Sequence, residues 1–301
     1  RVDYGVGAFQ NSAFGFLPGL DGNYYLTRFR QLGLQSQAAY PFDRFTRLDL
    51  GLSVMHISRE SVEAGNPQPD EGKMMFIPSF SYVFDNSSPW FFSPNKGSRY
   101  NITAQGSPKL GNAGVGFYSL LGDFRHYVPF DRDRFSSFAL RFAGGASFGP
   151  NPQKFFLGGQ EGWLNYEFSN RGVFENPEDF FFFTPGYPMR GFNFSEAVGS
   201  KYALVNAELR FPLLQAILGG VVPLYLQGNI FTDIGTAWNS TLNLTRQDAA
   251  GNTITDDLLI GTGIGFRTYL FGLPARLDIA WNYNLESWSS PKYYISLGYD
   301  F

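Results

Sequence analysis

Apolar and polar residues alternate along most of the chain, and clusters of Gly, Asn, Asp and Pro interrupt the alternation at short intervals. A period of two is typical of β-strands, because successive side chains of a strand point to opposite faces. The interrupting residues favour the turns between strands. The pattern predicts twelve strands, at 1–10, 23–40, 46–57, 73–85, 98–107, 115–128, 135–148, 201–211, 223–238, 258–270, 275–285 and 292–301.

The two faces of these strands differ in polarity. In the third strand, for example, Leu48 and Leu50 alternate with Asp49. No apolar run approaches the roughly 20 residues that a membrane helix requires, whereas strands with one polar and one apolar face build transmembrane β-barrels with a polar lumen. The alternative is a large soluble β-sandwich or lipocalin-like barrel. Strands that carry charges on one face and large aromatic residues on the other disfavour this alternative. The face predicted to contact lipid includes Leu48, Leu50, Phe138, Leu140, Ile279 and Trp281.

The connections between strands fall into two classes. Two tight turns share the sequence Pro-Phe-Asp-Arg, at 41–44 and 129–132, and Asp closes such turns through its side chain. The intervening connections, such as 58–73, are more often long and polar. Short periplasmic turns and long extracellular loops are the pattern of outer-membrane barrels. The connection 86–97 is an exception, because it is a longish turn on the side predicted to be periplasmic.

Composition supports an all-β, antiparallel transmembrane β-barrel as a single domain over residues 1–301. Charged residues make up 16% of the chain, below the roughly 25% of an ordinary soluble domain. The absence of Cys excludes disulfide and thiolate chemistry, and two His residues disfavour a multi-His metal site. A net charge of −3 argues against binding of nucleic acid, and no cofactor is expected. The chain begins inside strand-like sequence, so we expect a mature or trimmed piece of an exported protein.

The segment 149–200 is far longer than any other connection, and it is rich in aromatic residues. Connections longer than about 12–15 residues are usually functional or disordered, and disordered segments are poor in aromatic residues. We therefore expect this loop to start outside, to fold back and to fill much of the barrel. Met189-Arg190-Gly191-Phe192 lies near its end. A buried Arg190 would need an acidic partner.

Four stretches of the chain form a recognisable set. They are Leu157-Gly158-Gly159, Arg190-Gly191-Phe192, Phe231-Thr232-Asp233-Ile234-Gly235 and the closing residues 293–301. Arg190-Gly191-Phe192 alone is a weak motif. The order of this motif, then 207–212, then Phe-x-Asp-x-Gly on consecutive strands is specific. In these stretches the chain resembles the BamA/TamA superfamily of outer-membrane assembly barrels, also called bacterial surface antigens.

This resemblance implies a site inside the barrel. In the family the loop arginine folds into the lumen and meets acidic residues on the following strands, here Glu208 and Asp233. The alternation independently points both carboxylates to the polar face of neighbouring strands. Arg190 would clamp them with its planar fork of donors, Gly191 would permit close approach of the backbone, and Phe192 would anchor the tip.

The resemblance also concerns the two ends of the barrel. Family barrels have sixteen strands and N-terminal periplasmic domains, so we expect about four N-terminal strands and any periplasmic domain to be missing from this chain. Gly298 matches a family glycine at which the last strand kinks and weakens its seam with the first strand. The terminal aromatic residue, Phe301, completes an apolar face typical of the recognition strand by which outer-membrane proteins are inserted.

These features predict a non-enzymatic barrel in the outer membrane of a Gram-negative bacterium that mediates insertion, assembly or translocation of polypeptides. The implied partners are outer-membrane lipid and lipopolysaccharide, client polypeptides or outer-membrane proteins, and periplasmic accessory proteins. One alternative is a barrel that anchors or exports a fused N-terminal domain, and another is a diffusion porin. A phospholipase or protease is disfavoured, since His56 and His126 share the alternation of the apolar residues Val54, Phe124 and Val128 and are therefore poorly placed to act as a base.

Overall fold

The computed structural model describes residues 2–18, 23–62, 70–90, 92–131, 136–169, 179, 182, 187–218 and 222–298. Within these residues no helix is long and apolar enough to cross a membrane. The strands are β1 (Asp3–Pro18), β2 (Tyr24–Pro41), β3 (Thr46–Ser61), β4 (Glu71–Asp85), β5 (Gly97–Ser107), β6 (Phe117–Pro129), β7 (Ser137–Phe148), β8 (Phe155–Leu157), β9 (Ala197–Gly199), β10 (Lys201–Leu218), β11 (Val222–Trp238), β12 (Thr245–Gln247), β13 (Thr253–Thr255), β14 (Leu259–Leu270), β15 (Leu273–Asn282) and β16 (Lys292–Leu297).

Twelve of these strands form one antiparallel sheet in the order β1-β2-β3-β4-β5-β6-β7-β10-β11-β14-β15-β16. Each strand of the sheet therefore pairs with the one before and the one after it along the chain, as in an up-and-down barrel wall. β8 pairs with β9 inside the long loop, and β12 pairs with β13 in the connection before β14. The predicted all-β, antiparallel transmembrane barrel fold and its twelve strands are confirmed.

Three strands extend at least four residues beyond their predicted ends, and one of them is β3, which ends at Ser61 instead of at 57. β1 continues to Pro18 because its polar residues around Asn11, which interrupt the alternation, still pair with β2. β10 continues to Leu218 through Pro212, where the register shifts. Proline donates no hydrogen bond to a ladder and is accommodated at such irregularities. The predicted last strand extends to 301, but Phe301 lies outside the described residues.

The outer face of the sheet is apolar and exposed, as the alternation predicts for a lipid-facing surface. Leu50 is 47% exposed and Phe138 is 41% exposed. Leu48, Leu140, Ile279 and Trp281 lie on the same face and are partly exposed. Arg141 and Asp278 point to the opposite face and are buried. Consecutive residues of a strand thus place apolar side chains on the outer face and charged side chains on the lumen face.

The inner face is less uniformly polar than the alternation predicts. One buried apolar cluster lies on the inner face of β3 and β4, where Phe156 and Phe182 of the long loop pack on the wall. Apolar lumen residues are stable here because the loop removes them from water. The cluster consists of Met55, Ile57, Met75, Ile77, Val115, Phe117, Phe156 and Phe182.

The tight turn between β2 and β3 is closed by Asp43, as predicted. The backbone N–H groups of Phe45 and Thr46 donate to the Asp43 carboxylate at 2.7 and 2.9 Å. These donors favour the ionised carboxylate and lower the pKa of Asp43. In the matching turn between β6 and β7, the Ser136 N–H donates to Asp131 at 2.8 Å.

The sheet has two edges in the described part of the chain, because no ladder joins β1 to β16. β1 pairs with β2 over its whole length, and β16 pairs with β15 between Lys292 and Leu297. The sixteen-strand barrel, with strands that precede this chain, stays a prediction.

Assignment of the outer face to lipid predicts that arginine destabilises the barrel at one position of β2 and has little effect at a nearby position. Leu34 is 61% exposed near the middle of the strand, whereas Gln37 lies on the lumen face. Leu34→Arg should destabilise the folded barrel by about 2–4 kcal/mol, the usual cost of arginine at the bilayer midplane. Gln37→Arg should have little effect, because the new side chain would extend into the polar lumen near the Arg47–Asp49 pair and not into lipid. Urea unfolding in lipid vesicles measures both, and equal losses would contradict the assignment.

Candidate functional site

The acidic partners predicted from the sequence lie on adjacent strands inside the barrel. Asn206 of β10 stands directly opposite Asp233 of β11. Glu208 follows Asn206 by two residues and therefore points to the same face. Both carboxylates are buried, with Asp233 at 0% and Glu208 at 1% exposure. The sheet register alone thus places two negative charges side by side in the lumen.

The loop reaches these acids through two arms that hydrogen-bond to each other. The Gly158 N–H donates to the Tyr187 carbonyl at 3.1 Å, and the Met189 N–H donates to the Gly159 carbonyl at 3.0 Å. Both glycines have positive φ, 133° and 72°, which turns the first arm toward the second. The predicted Leu157-Gly158-Gly159 motif therefore positions the segment that carries Arg190.

Arg190 binds both acids, and its guanidinium uses several of its donors. Nε and Nη2 donate to the two Asp233 carboxylate oxygens at 2.7 and 2.8 Å. Nη1 donates to Glu208 Oε1 at 2.5 Å. The Arg190 backbone N–H also donates to Asp233, at 3.1 Å. The Asp233 carboxylate is thus held bidentately, a geometry that a lysine cannot reproduce.

Further arginines bind the carboxylates near Arg190. Arg210 donates to the second Glu208 oxygen at 2.8 Å, and Arg267 lies 2.9 Å from Asp278, which is 4.0 Å from Arg190. Three arginines therefore face three carboxylates. The Arg190 guanidinium also lies 3.5 Å from the ring centroid of Phe231, on the strand beneath it. Buried charges are tolerated when they are paired in this way and are otherwise costly.

Gly191 joins the clamp to the last strand. Its N–H donates to the Tyr294 hydroxyl at 2.8 Å, and that hydroxyl donates to the Phe192 carbonyl at 2.8 Å. Gly191 has a φ of 97°, and a side chain there would meet the Trp281 carbonyl. Glycine is therefore the residue that fits both the backbone conformation and the close approach to the wall. Phe192 packs against the apolar cluster that includes Met189.

The remaining predicted residues occupy different places. Gly235 faces Met189 and Leu157, and a side-chain carbon at Gly235 would lie 3.0 Å from the Met189 sulfur. Its lack of a side chain therefore makes room for the loop. Gly298 is the last described residue, with a φ of 116° and open space around it. Phe301 lies beyond the described residues.

The sequence analysis missed the contribution of the turn 86–97. Arg210 donates to the Ser93 hydroxyl at 2.8 Å and to the Pro94 carbonyl at 3.2 Å. Phe92 is buried and stacks on Tyr225 and Tyr269, with ring centroids 5.5 and 4.8 Å apart. This turn folds into the end of the barrel opposite to the entry of the long loop. Its unusual length was the one available signal.

Tyr294 was also missed. It lies between Tyr293 and Ile295, both of which are exposed on the outer face, so it points inward. It is completely buried, and its hydroxyl bridges the two residues after Arg190. A tyrosine with a buried ring requires a hydrogen-bond partner for its hydroxyl, and this requirement was the signal that could have identified it.

A cavity of about 350 Å³ lies beside the clamp. Asp123 lies at this cavity and binds Arg125 at 2.8 Å and Arg141 at 2.6 Å. The oxygens of Asp233 and Glu208 accept from Arg190, Arg210 and Asn206, so these carboxylates are engaged by protein donors. The arrangement holds the loop in place, and its chemistry is ion pairing.

The geometry predicts that removal of the Arg190 side chain weakens the fold far more than removal of an exposed arginine. Arg190→Ala leaves Asp233 buried without its guanidinium partner, so the barrel should lose about 3–5 kcal/mol. Arg190→Lys should recover part of this stability, because lysine keeps the positive charge but cannot bind Asp233 bidentately. Asp233→Asn should cost less than Arg190→Ala, since a hydrogen bond survives. Urea unfolding of the refolded barrel in lipid vesicles measures these differences.

A matched control is Arg246→Ala, since Arg246 pairs with Asp256 at 3.5 Å and its side chain is 60% exposed. Such a pair contributes about 0–1 kcal/mol. Equal losses for Arg190→Ala and Arg246→Ala would contradict the buried clamp.

Matches to known proteins cover almost the whole chain. No curated protein matches it significantly. Solved structures that resemble it include BamA from Haemophilus ducreyi lacking POTRA domains 1–3, with a TM-score of 0.64 and 16% identity, and CdiB from Escherichia coli, with a TM-score of 0.57 and 12% identity. Each alignment covers 100% of this chain, which spans 59% of the BamA chain and 50% of the CdiB chain. Residues 2–301 match the Omp85 superfamily domain, and the chain belongs to the Omp85 superfamily.

Proposed function

We propose that this chain is part of an outer-membrane barrel of a Gram-negative bacterium that inserts, assembles or translocates polypeptides without catalysing a chemical reaction. The contact that carries this proposal joins three parts of the molecule. Arg190 binds Asp233 and Glu208 of the wall, and the next residue binds Tyr294 of the last strand. The Omp85 match and the resemblance of the fold to BamA and CdiB support it.

The proposed mechanism uses the edges of the sheet. A strand edge presents unpaired N–H and C=O groups to which an extended polypeptide can add. A client strand would pair at the seam between the first and last strands of the complete barrel. The clamp would hold the wall and the loop in shape while the seam changes its partners. Gly298, with its positive φ, would let the end of β16 bend at the seam.

The proposed partners follow from the surfaces. The apolar outer face fits outer-membrane lipid, with lipopolysaccharide at its extracellular rim. Client polypeptides or outer-membrane proteins would meet the strand edges. Periplasmic accessory proteins would bind on the opposite side of the membrane.

A diffusion porin fits the structure less well. A porin requires an open, water-filled lumen, whereas here the long loop packs on the inner wall through Phe156 and Phe182. The turn 86–97 also enters the opposite end through Phe92. An anchor or exporter for a fused domain would use the same wall, and its distinguishing feature would be that domain.

The proposed function predicts that the clamp is required for activity beyond its effect on stability. Arg190→Lys, reconstituted in the full-length protein, should insert an unfolded outer-membrane β-barrel protein into vesicles more slowly than the parent. The reason is that a single ammonium cannot hold Asp233 bidentately, so the loop shifts relative to the wall. Insertion is followed by the heat-modifiable gel mobility of the client protein.

Arg246→Ala is the control, and it should insert the client at the parent rate. A folded Arg190→Lys barrel with unchanged insertion would show that the clamp does not act in the reaction. Parent protein that accelerates neither insertion into vesicles nor passage of a polypeptide across them would overturn the proposed function itself.

A further inference from the structure

Two arginines project from the lipid-facing side of β2 in the first half of the strand. Arg28 and Arg30 continue the alternation of Leu32 and Leu34, which are 48% and 61% exposed on the outer face. Phe29, between the two arginines, is 3% exposed and points to the lumen. The strand therefore directs two cationic side chains outward, next to an apolar surface.

The neighbouring strand β3 carries three polar residues on the same outer face. They are His56, Ser58 and Glu60, of which Ser58 stands opposite Arg30 and Glu60 stands opposite Arg28. We name these five residues, Arg28, Arg30, His56, Ser58 and Glu60, the rim patch. β1 pairs with the other side of β2, and β4 pairs with the other side of β3. The rim patch therefore lies on the face of a continuous part of the wall, and strands added beyond β1 would extend the wall sideways without covering it.

The rim patch carries more positive than negative charge. Arg28 donates to one oxygen of the Glu60 carboxylate, and the Ser58 hydroxyl donates to the other oxygen at 2.9 Å. Arg30 makes no hydrogen bond or ion pair within the described part of the chain. Two guanidiniums thus share one carboxylate, and the side chains of Arg28 and Glu60 are 39% and 30% exposed. The donors that Glu60 leaves unused are accessible to an anion from outside the barrel.

The outer faces of β5, β6 and β7, which the structure describes in full, differ from this one. Their outward positions hold no Asp, Glu, Lys or Arg, and most of them are apolar or aromatic. Arginine in contact with lipid is costly at the midplane of the bilayer and much less costly near its surface. Two arginines on lipid-facing positions of one strand therefore indicate a local function at the membrane surface, which the rest of the wall does not share.

The arginines lie at the height of lipid headgroups. Arg30 is four residues from Leu34, which lies near the middle of β2. A strand rises about 3.3 Å per residue and is tilted by about 35–45° in such barrels, so Arg30 lies roughly 10 Å above Leu34. Since the apolar band of these barrels is about 25 Å tall, Arg28 stands near its boundary, two residues further along the strand. This end of β2 is opposite to the tight turn 41–44, so the headgroups are those of the extracellular leaflet.

Toward the membrane centre, the wall next to the rim patch is suited to acyl chains. The outer positions of β2, β3 and β4 are apolar there, with exposures between 37% and 61%, and they are Leu32, Leu34, Val54, Met74 and Phe76. Gly72 of β4 makes room for the His56 ring, because a side-chain carbon at Gly72 would lie 2.8 Å from its Nε2 atom. A cationic rim beside an apolar surface matches a lipid whose anionic headgroup continues into acyl chains.

We propose that the rim patch binds a phosphate group of lipopolysaccharide, the phosphorylated glycolipid of the extracellular leaflet. Arg30 binds the phosphate with its planar fork of donors, and Arg28, which Glu60 holds in place, supplies a further donor. The acyl chains lie against the apolar outer positions of β2, β3 and β4. This inference rests on the proposed function for the membrane and its leaflet, whereas it is independent of any action on polypeptides.

Native mass spectrometry of the full-length protein in detergent, titrated with purified lipid A, measures this binding directly. Lipid A is the phosphorylated anchor of lipopolysaccharide. Arg30→Gln should weaken binding about tenfold, because charge-assisted hydrogen bonds to the phosphate are lost. The matched control is Arg246→Gln, which removes an exposed arginine from the β12–β13 hairpin and should bind lipid A like the parent. Equal binding by the parent and Arg30→Gln, both folded by gel mobility, would overturn the site.

Glu60→Gln tests the site in the opposite direction. This change removes a negative charge beside the phosphate and releases Arg28, so lipid A should bind about threefold more tightly, within the range of an exposed ion pair. A patch that only stabilises the wall predicts no such gain. Unchanged or weaker binding in a folded Glu60→Gln barrel would overturn phosphate recognition by the two arginines.

Two further lipids identify the source of the phosphate. Lipid A without its phosphates should bind the parent and Arg30→Gln equally. Phosphatidylglycerol should bind less tightly than lipid A, because its phosphate is a diester with one charge, whereas a phosphate monoester carries up to two. Equal affinity for phosphatidylglycerol and lipid A would overturn the assignment to lipopolysaccharide.

Client insertion separates this site from the proposed function. In phosphatidylcholine vesicles, which contain no lipid A, Arg30→Gln should insert a client at the parent rate. Parent protein that binds lipid A as expected but inserts no client would keep the site and overturn the proposed function. Parent protein that inserts the client, with lipid A binding that does not depend on Arg30, would overturn the site alone.

Discussion

Burial of the Arg190 charge fixes the position of the loop relative to the wall. An isolated guanidinium in the packed lumen would cost several kcal/mol, and that cost is offset only while Asp233 and Glu208 stay within hydrogen-bond distance. Asp233 accepts two hydrogen bonds from the guanidinium and one from the Arg190 backbone N–H, so a small shift of the loop breaks several hydrogen bonds together. The seating of the loop is therefore close to all-or-none.

Glu208 extends this constraint along the barrel. One of its oxygens accepts from Arg190 of the long loop, and the other accepts from Arg210, which binds Ser93 in the turn at the opposite end. Groups that share one buried network are energetically coupled, because loss of one member leaves its partner unpaired. The two segments that enter the barrel from its two ends are thus linked through a single carboxylate.

The sequence predicts the wall better than it predicts the contents of the barrel. The period of two follows from backbone geometry, so strands and their faces can be assigned from the local sequence. The inward direction of Glu208 and Asp233 follows from their positions in this alternation. The motifs of the resemblance then singled out Arg190 as the residue that meets them. By contrast, Arg210 with Ser93 and Trp163 with β16 join residues far apart in the chain. No local pattern encodes how a folded loop meets a distant strand.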